Sequence, residues 1–222
     1  MVAGNLPRLV IFDLCDTLYD TNTTIGFVRH YHSLQGNQKD DHVVRRWLSR
    51  RSPWFYIGAI AHRLLGSDVA RERIIATLAG KPKAELTAAA RDYVRNILPS
   101  RANAPLQERL ASHREAGDRV MLLSSSLDVV VAEIATLLGV DFRASELGFD
   151  AEICTGKLKQ DLTGSKAVAI RDLMDSGLEL WVYTDNRSDK DLLAIADRAS
   201  IVIPRGSPDV RWGGDRCEYI RL

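Results

Sequence analysis

Short apolar runs recur along the chain with helix-like segments between them, and this alternation constrains the fold more than any other feature. The runs are Leu9–Phe12, Arg119–Leu123, Leu178–Tyr183 and Ile201–Ile203. Runs with little polar alternation are typical of strands buried on both faces, as in a parallel sheet. Strands that alternate with helices predict an α/β sheet covered by helices on both faces.

The helix-like segments have recognisable ends. One covers Pro105–Ala116 and stops at Gly117, and another covers Leu127–Leu138 and stops at Gly139. Glycine is common just after the last turn of a helix, so both boundaries are predicted there. Two further helices and one hairpin are predicted over Ser165–Met174, Ser188–Arg198 and Glu146–Gly156.

A long segment from Thr21 to Pro99 interrupts the alternation because it contains no convincing strand. A βα crossover needs only about a dozen residues, so this segment is far too long for a simple connection. We predict an α/β core of residues 1–20 and 100–222 with an all-helical cap of residues 21–99 inserted between the first two strands. The alternative is that these helices belong to the same domain as the sheet.

Composition excludes several classes of protein. Hydrophobic residues make up 45% of the 222 residues, and 30 Lys and Arg against 29 Asp and Glu give a net charge of +1. A disordered or collagen-like chain is excluded, and the net charge near zero predicts no general attraction to nucleic acid or to an anionic membrane. The three cysteines, Cys15, Cys154 and Cys217, cannot all pair and lack metal-ligand spacing, and residues 1–8 lack an apolar leader. We therefore expect a cytoplasmic protein.

Polar residues stand at the ends of the first three apolar runs: Asp13, Ser124 and Asp185. Ligands of open α/β sheets bind beyond the carboxyl ends of the strands, so these side chains are the first candidates for a site. Two carboxylates brought together repel each other unless a cation lies between them, and Mg²⁺ suits such a pair. The alternative for each residue alone is a helix cap or a turn.

Four stretches, taken in order, resemble the motifs of the haloacid dehalogenase superfamily of phosphohydrolases. Phe12–Leu18 is similar to the first motif, an apolar strand followed by Asp-x-Asp-Gly-Thr, and Leu123–Ser126 is similar to the second. Lys166 stands where the lysine of the third motif is expected, and Tyr183–Asp189 resembles the acidic fourth motif. The helical insert resembles the cap of the phosphoserine-phosphatase-like branch. Motifs in this order over nearly the whole chain are a strong signal.

The resemblance implies a doubly wound, mostly parallel Rossmann-like core and an enzyme that hydrolyses a small phosphomonoester. Asp13 would be the nucleophile that forms an aspartyl-phosphate. Mg²⁺ would be the cofactor, held by Asp13, the backbone carbonyl of Cys15 and Asp185.

The remaining motif residues would handle the phosphate. Ser124 and Ser125 would bind its oxygens, and Lys166 would neutralise charge on the transferring group and on Asp13. Asp189 would act one layer further out, through water or by orienting Lys166.

The first motif departs from the family pattern at two positions. Cys15 stands where the family has its second aspartate, the group that protonates the leaving oxygen, and Asp16 stands where the family has glycine. General acid–base catalysis contributes typically about 10²–10⁴-fold, so we expect either slow phosphatase activity or a substrate whose leaving group needs little protonation. The alternatives are that Asp16 takes the acid role, that the phosphoryl group passes to an acceptor other than water, or that the domain only binds phosphorylated ligands.

The segment Arg45–Tyr56 is first basic and then aromatic. One interpretation is a solvated helix face followed by a helix buried in the cap. The other is a surface for an anionic amphiphile, such as a lipid phosphate, or for a membrane.

Overall fold

A computed structural model describes residues 8–65, 68–174, 177–208, 212 and 217–222. The prediction that concerns the first seven residues lies outside these ranges. Within them, seven strands form one sheet: β1 (Arg8–Phe12), β2 (Arg119–Leu127), β3 (Asp141–Asp150), β4 (Ile153–Gln160), β5 (Glu179–Thr184), β6 (Arg198–Ile203) and β7 (Cys217–Arg221).

The α-helices of the described residues fall into two groups. Those between β1 and β2 are α1 (Thr23–Leu34), α2 (Gln38–Leu48), α3 (Pro53–Leu65), α4 (Val69–Ala76), α5 (Lys83–Asp92) and α6 (Ala104–Glu115). Those later in the chain are α7 (Asp128–Leu138), α8 (Lys166–Ala169), α9 (Arg171–Met174) and α10 (Lys190–Ala194). None of the described helices is long and apolar enough to cross a membrane.

The sheet has the strand order β4-β3-β2-β1-β5-β6-β7, and β4 alone among these strands is antiparallel to its neighbour. The chain adds strands on one side of β1 and then on the other, which confirms the predicted doubly wound α/β core. Phe12 is aligned with Leu122 of β2 and with Tyr183 of β5. The carboxyl ends of the three strands therefore lie together at the switch point of the sheet, where ligands of such folds bind.

Alternate residues of the central strands enter two separate cores. Leu9 and Ile11 of β1 pack with the α8–α10 side, whereas Val10 and Phe12 pack on the opposite face with the α6, α7 and α1–α5 side. All four side chains are almost completely buried. This burial on both faces explains why the strand shows an unbroken apolar run in the sequence.

The helices α1–α5 lie between β1 and β2 and pack mainly against one another. They contact the sheet through α1 against β2, α4 against β4 and a bridge between Pro82 and Ile153, and they contact helix α7 through α1 and α5. This helical segment also shares one continuous apolar cluster with the sheet face that carries Phe12. The division into core and cap remains a prediction about how the chain is organised.

Two helix predictions are wrong in extent. The helix predicted over Ser165–Met174 is two short helices, and Ile170 between them departs from helical geometry. The helix predicted over Ser188–Arg198 is a 3₁₀ turn followed by the five-residue α10. Arg198 instead starts β6, where it is aligned with Trp181, because strand pairing overrides local helix propensity there.

Candidate active site

Asp13 follows β1 directly and is 5% exposed. Its backbone N–H donates to the Tyr183 carbonyl at 2.9 Å, which extends the β1–β5 ladder by one bond. The Leu14 N–H donates to Oδ1 at 2.8 Å, and Lys166 Nζ lies 3.1 Å from the same oxygen. Leu14 and Lys166 both contact Oδ1 of Asp13. Oδ2 is therefore the oxygen that faces away from these two partners.

Lys166 lies between two carboxylates. Its ammonium group is 3.1 Å from Asp13 Oδ1 and donates to Asp189 Oδ2 at 2.8 Å, and all three side chains are buried. Burial opposes the charged ammonium, but the carboxylates of Asp13 and Asp189 outweigh it and raise the pKa of Lys166. The lysine is therefore a fixed cation beside Asp13.

Asp189 is held by a second donor besides the lysine. The Thr184 hydroxyl donates to Oδ2 at 2.7 Å, while Oδ1 is buried and has no hydrogen-bond partner among the described residues. Asp189 thus touches Lys166 directly, as its predicted orienting role requires.

Asp185 enters the same edge of the sheet from the end of β5. Its Oδ1 accepts from the Thr17 hydroxyl at 3.1 Å, and its own N–H donates back to that hydroxyl oxygen at 3.1 Å. The alternative that Asp185 caps the following helix is wrong, because the Asn186 side chain accepts from Ser188 N–H there. Burial, with the charges of Asp13 and Asp16, raises the pKa of Asp185 to about 8.

The three serines after Leu123 continue β2 rather than capping the next helix. Ser126 N–H donates to Ser124 Oγ at 3.2 Å, and α7 begins at Asp128 without a side-chain cap. The serine-capping alternative is therefore wrong. Ser125 presents its carbonyl to the guanidinium of Arg71, a helix α4 residue. Binding of phosphate by Ser124 and Ser125 remains a prediction.

Cys15 is surrounded by hydroxyl groups. Its Sγ lies 3.4 Å from Thr23 Oγ1 and 3.3 Å from Ser126 Oγ, and it accepts from the Thr23 N–H at 3.4 Å. Burial and the Asp13 charge raise the pKa of the thiol. The side chain therefore stays a protonated thiol at neutral pH, without the acidity of an aspartate.

Asp16 has a left-handed backbone with φ of 52°. Its N–H donates to the Tyr19 carbonyl at 2.8 Å in the turn after β1. The family carries glycine at this place, and glycine adopts such a conformation without strain, whereas aspartate tolerates it at some cost. Burial and the neighbouring Asp20 raise the pKa of Asp16, whose charge also acts on Asp185.

The oxygen atoms that the fold brings together at this edge of the sheet can be compared with the ligands that Mg²⁺ prefers. The two carboxylates and the Cys15 carbonyl supply oxygen, the ligand type that Mg²⁺ prefers. Lys166 contacts Asp13, but no ion pair of the described residues involves Asp185, whose pKa is raised first by burial and then by the charges of Asp13 and Asp16. A cation beside Asp185 would offset these charges, so the residues fit Mg²⁺.

The described residues contain no metal site that is built from side chains alone. No group of three or more His, Cys, Asp or Glu side chains in the described ranges is arranged to hold a metal ion. Two carboxylates with one main-chain oxygen and waters are the kind of set with which Mg²⁺ is commonly bound.

Sequence reasoning missed several residues that hold the site together. Thr17 and Thr184 position Asp185 and Asp189, and Thr23 Oγ1 lies 2.6 Å from Ser126 Oγ. The threonine of the first motif was a usable signal for Thr17. Arg71 had no signal, because its partners lie more than fifty residues away in the chain.

A family model described as haloacid dehalogenase-like hydrolase matches residues 10–194. The chain belongs to this family, as its four motifs and doubly wound sheet indicate.

Two curated relatives from Mycobacterium tuberculosis are each 28% identical to this chain: a putative hydrolase from strain CDC 1551 / Oshkosh and phosphoserine phosphatase SerB1 from strain H37Rv. In both cases the match covers 90% of this chain but 66% of the relative.

Solved structures share the fold. A protein of unknown function from Bordetella pertussis Tohama I has a TM-score of 0.73 at 22% identity, over 91% of this chain and 92% of that one. A phosphoserine phosphatase in its apo form has a TM-score of 0.63 at 15% identity, over 96% and 93%. At these identities the likenesses establish the fold alone.

Proposed function

We propose that this protein hydrolyses a small phosphomonoester through an aspartyl-phosphate on Asp13, with Mg²⁺ as cofactor. One observation carries the proposal: Asp13 is buried at the switch point of the sheet with Lys166 Nζ 3.1 Å from its carboxylate. A buried carboxylate kept beside a fixed cation is suited to attack an anionic phosphate. The relatives named phosphoserine phosphatase support this class of substrate.

The reaction has two displacements at phosphorus. Asp13 Oδ2 attacks phosphorus, the ester P–O bond breaks, and the leaving group departs as an alkoxide or phenolate that takes its proton from water. Water then attacks the phosphorus of the aspartyl-phosphate, the acyl P–O bond breaks, and inorganic phosphate leaves with Asp13 restored.

The other residues bind and orient. Ser124 Oγ and the Ser125 amide bind phosphate oxygens, and Lys166 offsets the negative charge that accumulates during transfer. Asp189 keeps Lys166 in place through the 2.8 Å bond. Asp13, Asp185 and the Cys15 carbonyl would hold Mg²⁺, which would supply positive charge against the repulsion between nucleophile and phosphate.

Cys15 restricts the substrate to one whose leaving group needs little protonation. Its thiol lies among the hydroxyls of Thr23 and Ser126 and has a raised pKa, so it is a weak proton donor. Aryl phosphates, which leave as stabilised phenolates, should therefore turn over faster than alkyl phosphates. Asp16 remains an alternative donor, because it lies close enough for its charge to act on Asp185.

Replacement of the nucleophile tests the chemistry. Asp13→Asn should abolish Mg²⁺-dependent release of phosphate from an aryl phosphate, because an amide cannot form the phosphoryl ester. Asp20→Asn is the matched control, since Asp20 is exposed on the same loop. Hydrolysis that survives in Asp13→Asn would refute the proposal.

The second candidate is a protein that binds phosphorylated ligands without turning them over, and Cys15 at the acid position favours it. It predicts that inorganic phosphate shifts the melting temperature while no phosphate ester in a broad panel is hydrolysed. A third outcome, transfer of the phosphoryl group to an added alcohol, would appear as an alkyl phosphate product.

The proposal includes a cytoplasmic location, since the free thiols of Cys15 and Cys154 suit a reducing compartment.

A further inference from the structure

The positive charge of the chain is concentrated in one short segment. Residues 42–65 contain five arginines and no Asp or Glu, a formal charge of +5. Since the whole chain carries +1, the remainder carries 1 − 5 = −4. Local concentration of one sign on a nearly neutral protein points to a partner of opposite sign.

Helix α3 exposes apolar side chains on the face that points away from the protein. Tyr56, Ile57 and Ile60 are 56%, 48% and 58% exposed, and their spacing of one and three residues places them on one side of the helix. The other side is covered, because Trp54 packs on Trp47 with ring centroids 5.4 Å apart. An apolar face that no described element covers is unusual for a surface helix.

The arginines flank this apolar face. Arg50 and Arg51 are exposed in the turn that leads into α3, and Arg46 lies with its guanidinium 4.4 Å from the Trp54 ring centre. No ion pair of the described residues involves these three arginines, whereas Arg45 is paired with Asp41. Three guanidinium groups without an ion-pair partner among the described residues therefore lie near α3, Arg46 on its Trp54 side and Arg50 and Arg51 in the turn before it.

We propose that this face, defined as Arg46, Arg50, Arg51, Tyr56, Ile57 and Ile60, binds the surface of an anionic phospholipid bilayer. Aromatic and branched side chains would enter the headgroup region, and the guanidinium groups would bind lipid phosphates. A second copy of the chain fits poorly, since a two-fold interface would set the +5 segment against itself. The inference is independent of the proposed hydrolysis.

Vesicle sedimentation of the full-length protein tests this. We expect binding to phosphatidylcholine vesicles that contain about one third phosphatidylglycerol and little binding to phosphatidylcholine alone, with loss of binding in high salt. The variants Arg50→Glu/Arg51→Glu and Tyr56→Ser/Ile60→Ser should each weaken the partition by about tenfold or more.

Matched changes elsewhere on the surface are the controls. Arg171→Glu reverses an exposed arginine on α9, and Leu137→Ser removes a leucine on α7 that is 58% exposed. Both should bind vesicles like the wild type, and unchanged circular dichroism and melting would show that all variants are folded.

Four results would overturn the inference. The first is no binding to anionic vesicles, and the second is equal binding to neutral ones. The third is normal binding by both double variants. The fourth is self-association of the protein in place of vesicle binding. If the protein self-associates with concentration, and the Tyr56→Ser/Ile60→Ser variant does not, a second copy of the chain occupies this face.

Discussion

Cys15 is the single residue on which the rate of the proposed reaction depends most. The Thr23 N–H and the hydroxyls of Thr23 and Ser126 all lie within 3.4 Å of its Sγ. A carboxylate at this position could accept hydrogen bonds from the same three groups. We expect Cys15→Asp to raise kcat for an alkyl phosphate by about 10²-fold or more, because it supplies the missing acid. The gain for an aryl phosphate should be much smaller.

Steady-state rates of Cys15→Asp on both ester types measure this difference. Cys15→Asn is the control, because it has the shape of aspartate without a titratable proton and should give no gain. Equal rates for the wild type and Cys15→Asp on the alkyl ester would mean that another group, such as Asp16, already donates the proton.

His32 makes the stability of the helical segment depend on pH. The Thr77 hydroxyl donates to the Ile74 carbonyl at 2.6 Å, so its oxygen accepts from His32 Nε2 at 2.8 Å. Nδ1 of this buried ring has no partner among the described residues, and burial lowers the pKa of His32 below 6.5. Below pH 6.5, His32 of the unfolded chain therefore binds a proton more readily than His32 of the folded chain. The free energy of unfolding falls as the pH falls.

Substitution by glutamine isolates this effect. His32→Gln retains an Nε2 donor for Thr77 but cannot titrate. We expect the free energy of unfolding of the variant, measured in urea between about pH 7 and pH 5, to fall less than that of the wild type. Parallel pH curves for the two proteins would contradict this assignment.

At the scale of elements, Arg71 of α4 joins the helical segment to the end of β2 and to the loop that precedes Lys166. It donates to the Ser125 carbonyl, to Asp161 Oδ2 at 2.8 Å and to Thr163 Oγ1 at 3.1 Å. Although burial opposes it, the bonds from Thr163 N–H and Arg71 hold the pKa of Asp161 below its usual range. Helix α4 and the segment that precedes Lys166 are thus tied through one guanidinium.

We expect Arg71→Met to lower the free energy of unfolding by about 1–3 kcal/mol, because the Ser125 carbonyl and Asp161 Oδ2 lose their bonds to the guanidinium group. It should also raise KM for the phosphate ester, since Ser125 loses its support. Arg91→Met is the control: its bond to Glu133 lies on the surface, so the loss there should be smaller. Urea unfolding and steady-state kinetics measure both, and equal losses in the two variants would contradict the role given to Arg71.

The elements that could be predicted from the sequence are those with simple burial patterns. Strand β1 is buried on both faces, so its apolar run is unbroken, whereas the edge strand β7 has one buried residue, Ile220, among exposed and half-buried ones and was missed. The strand ends identified Asp13 and Asp185, because parallel strands bring their carboxyl ends together. Arg71 could not be found this way, since only the packing of α4 on β4 brings it to Ser125.

At the scale of the whole molecule, the helical segment and the sheet share one apolar core. Phe12 and Leu122 of the sheet belong to the same buried cluster as Phe27, Tyr31 and Val44 of the helices. Removing the helices from the sheet would expose apolar surface on both sides, at a cost of about 25 cal/mol for each square ångström. The proposed cap of residues 21–99 should therefore not unfold by itself.

We expect a single cooperative transition in urea, and the tryptophans allow each part to be observed separately. A Trp181→Phe/Trp212→Phe variant retains Trp47 and Trp54 of the helical segment, and a Trp47→Phe/Trp54→Phe variant retains the other two. In each variant the fluorescence transition should coincide with the loss of far-UV circular dichroism, as two-state unfolding requires. A transition of Trp47 and Trp54 at clearly lower urea would show that the helical segment is an independent folding unit, and that the shared cluster contributes less than its burial implies.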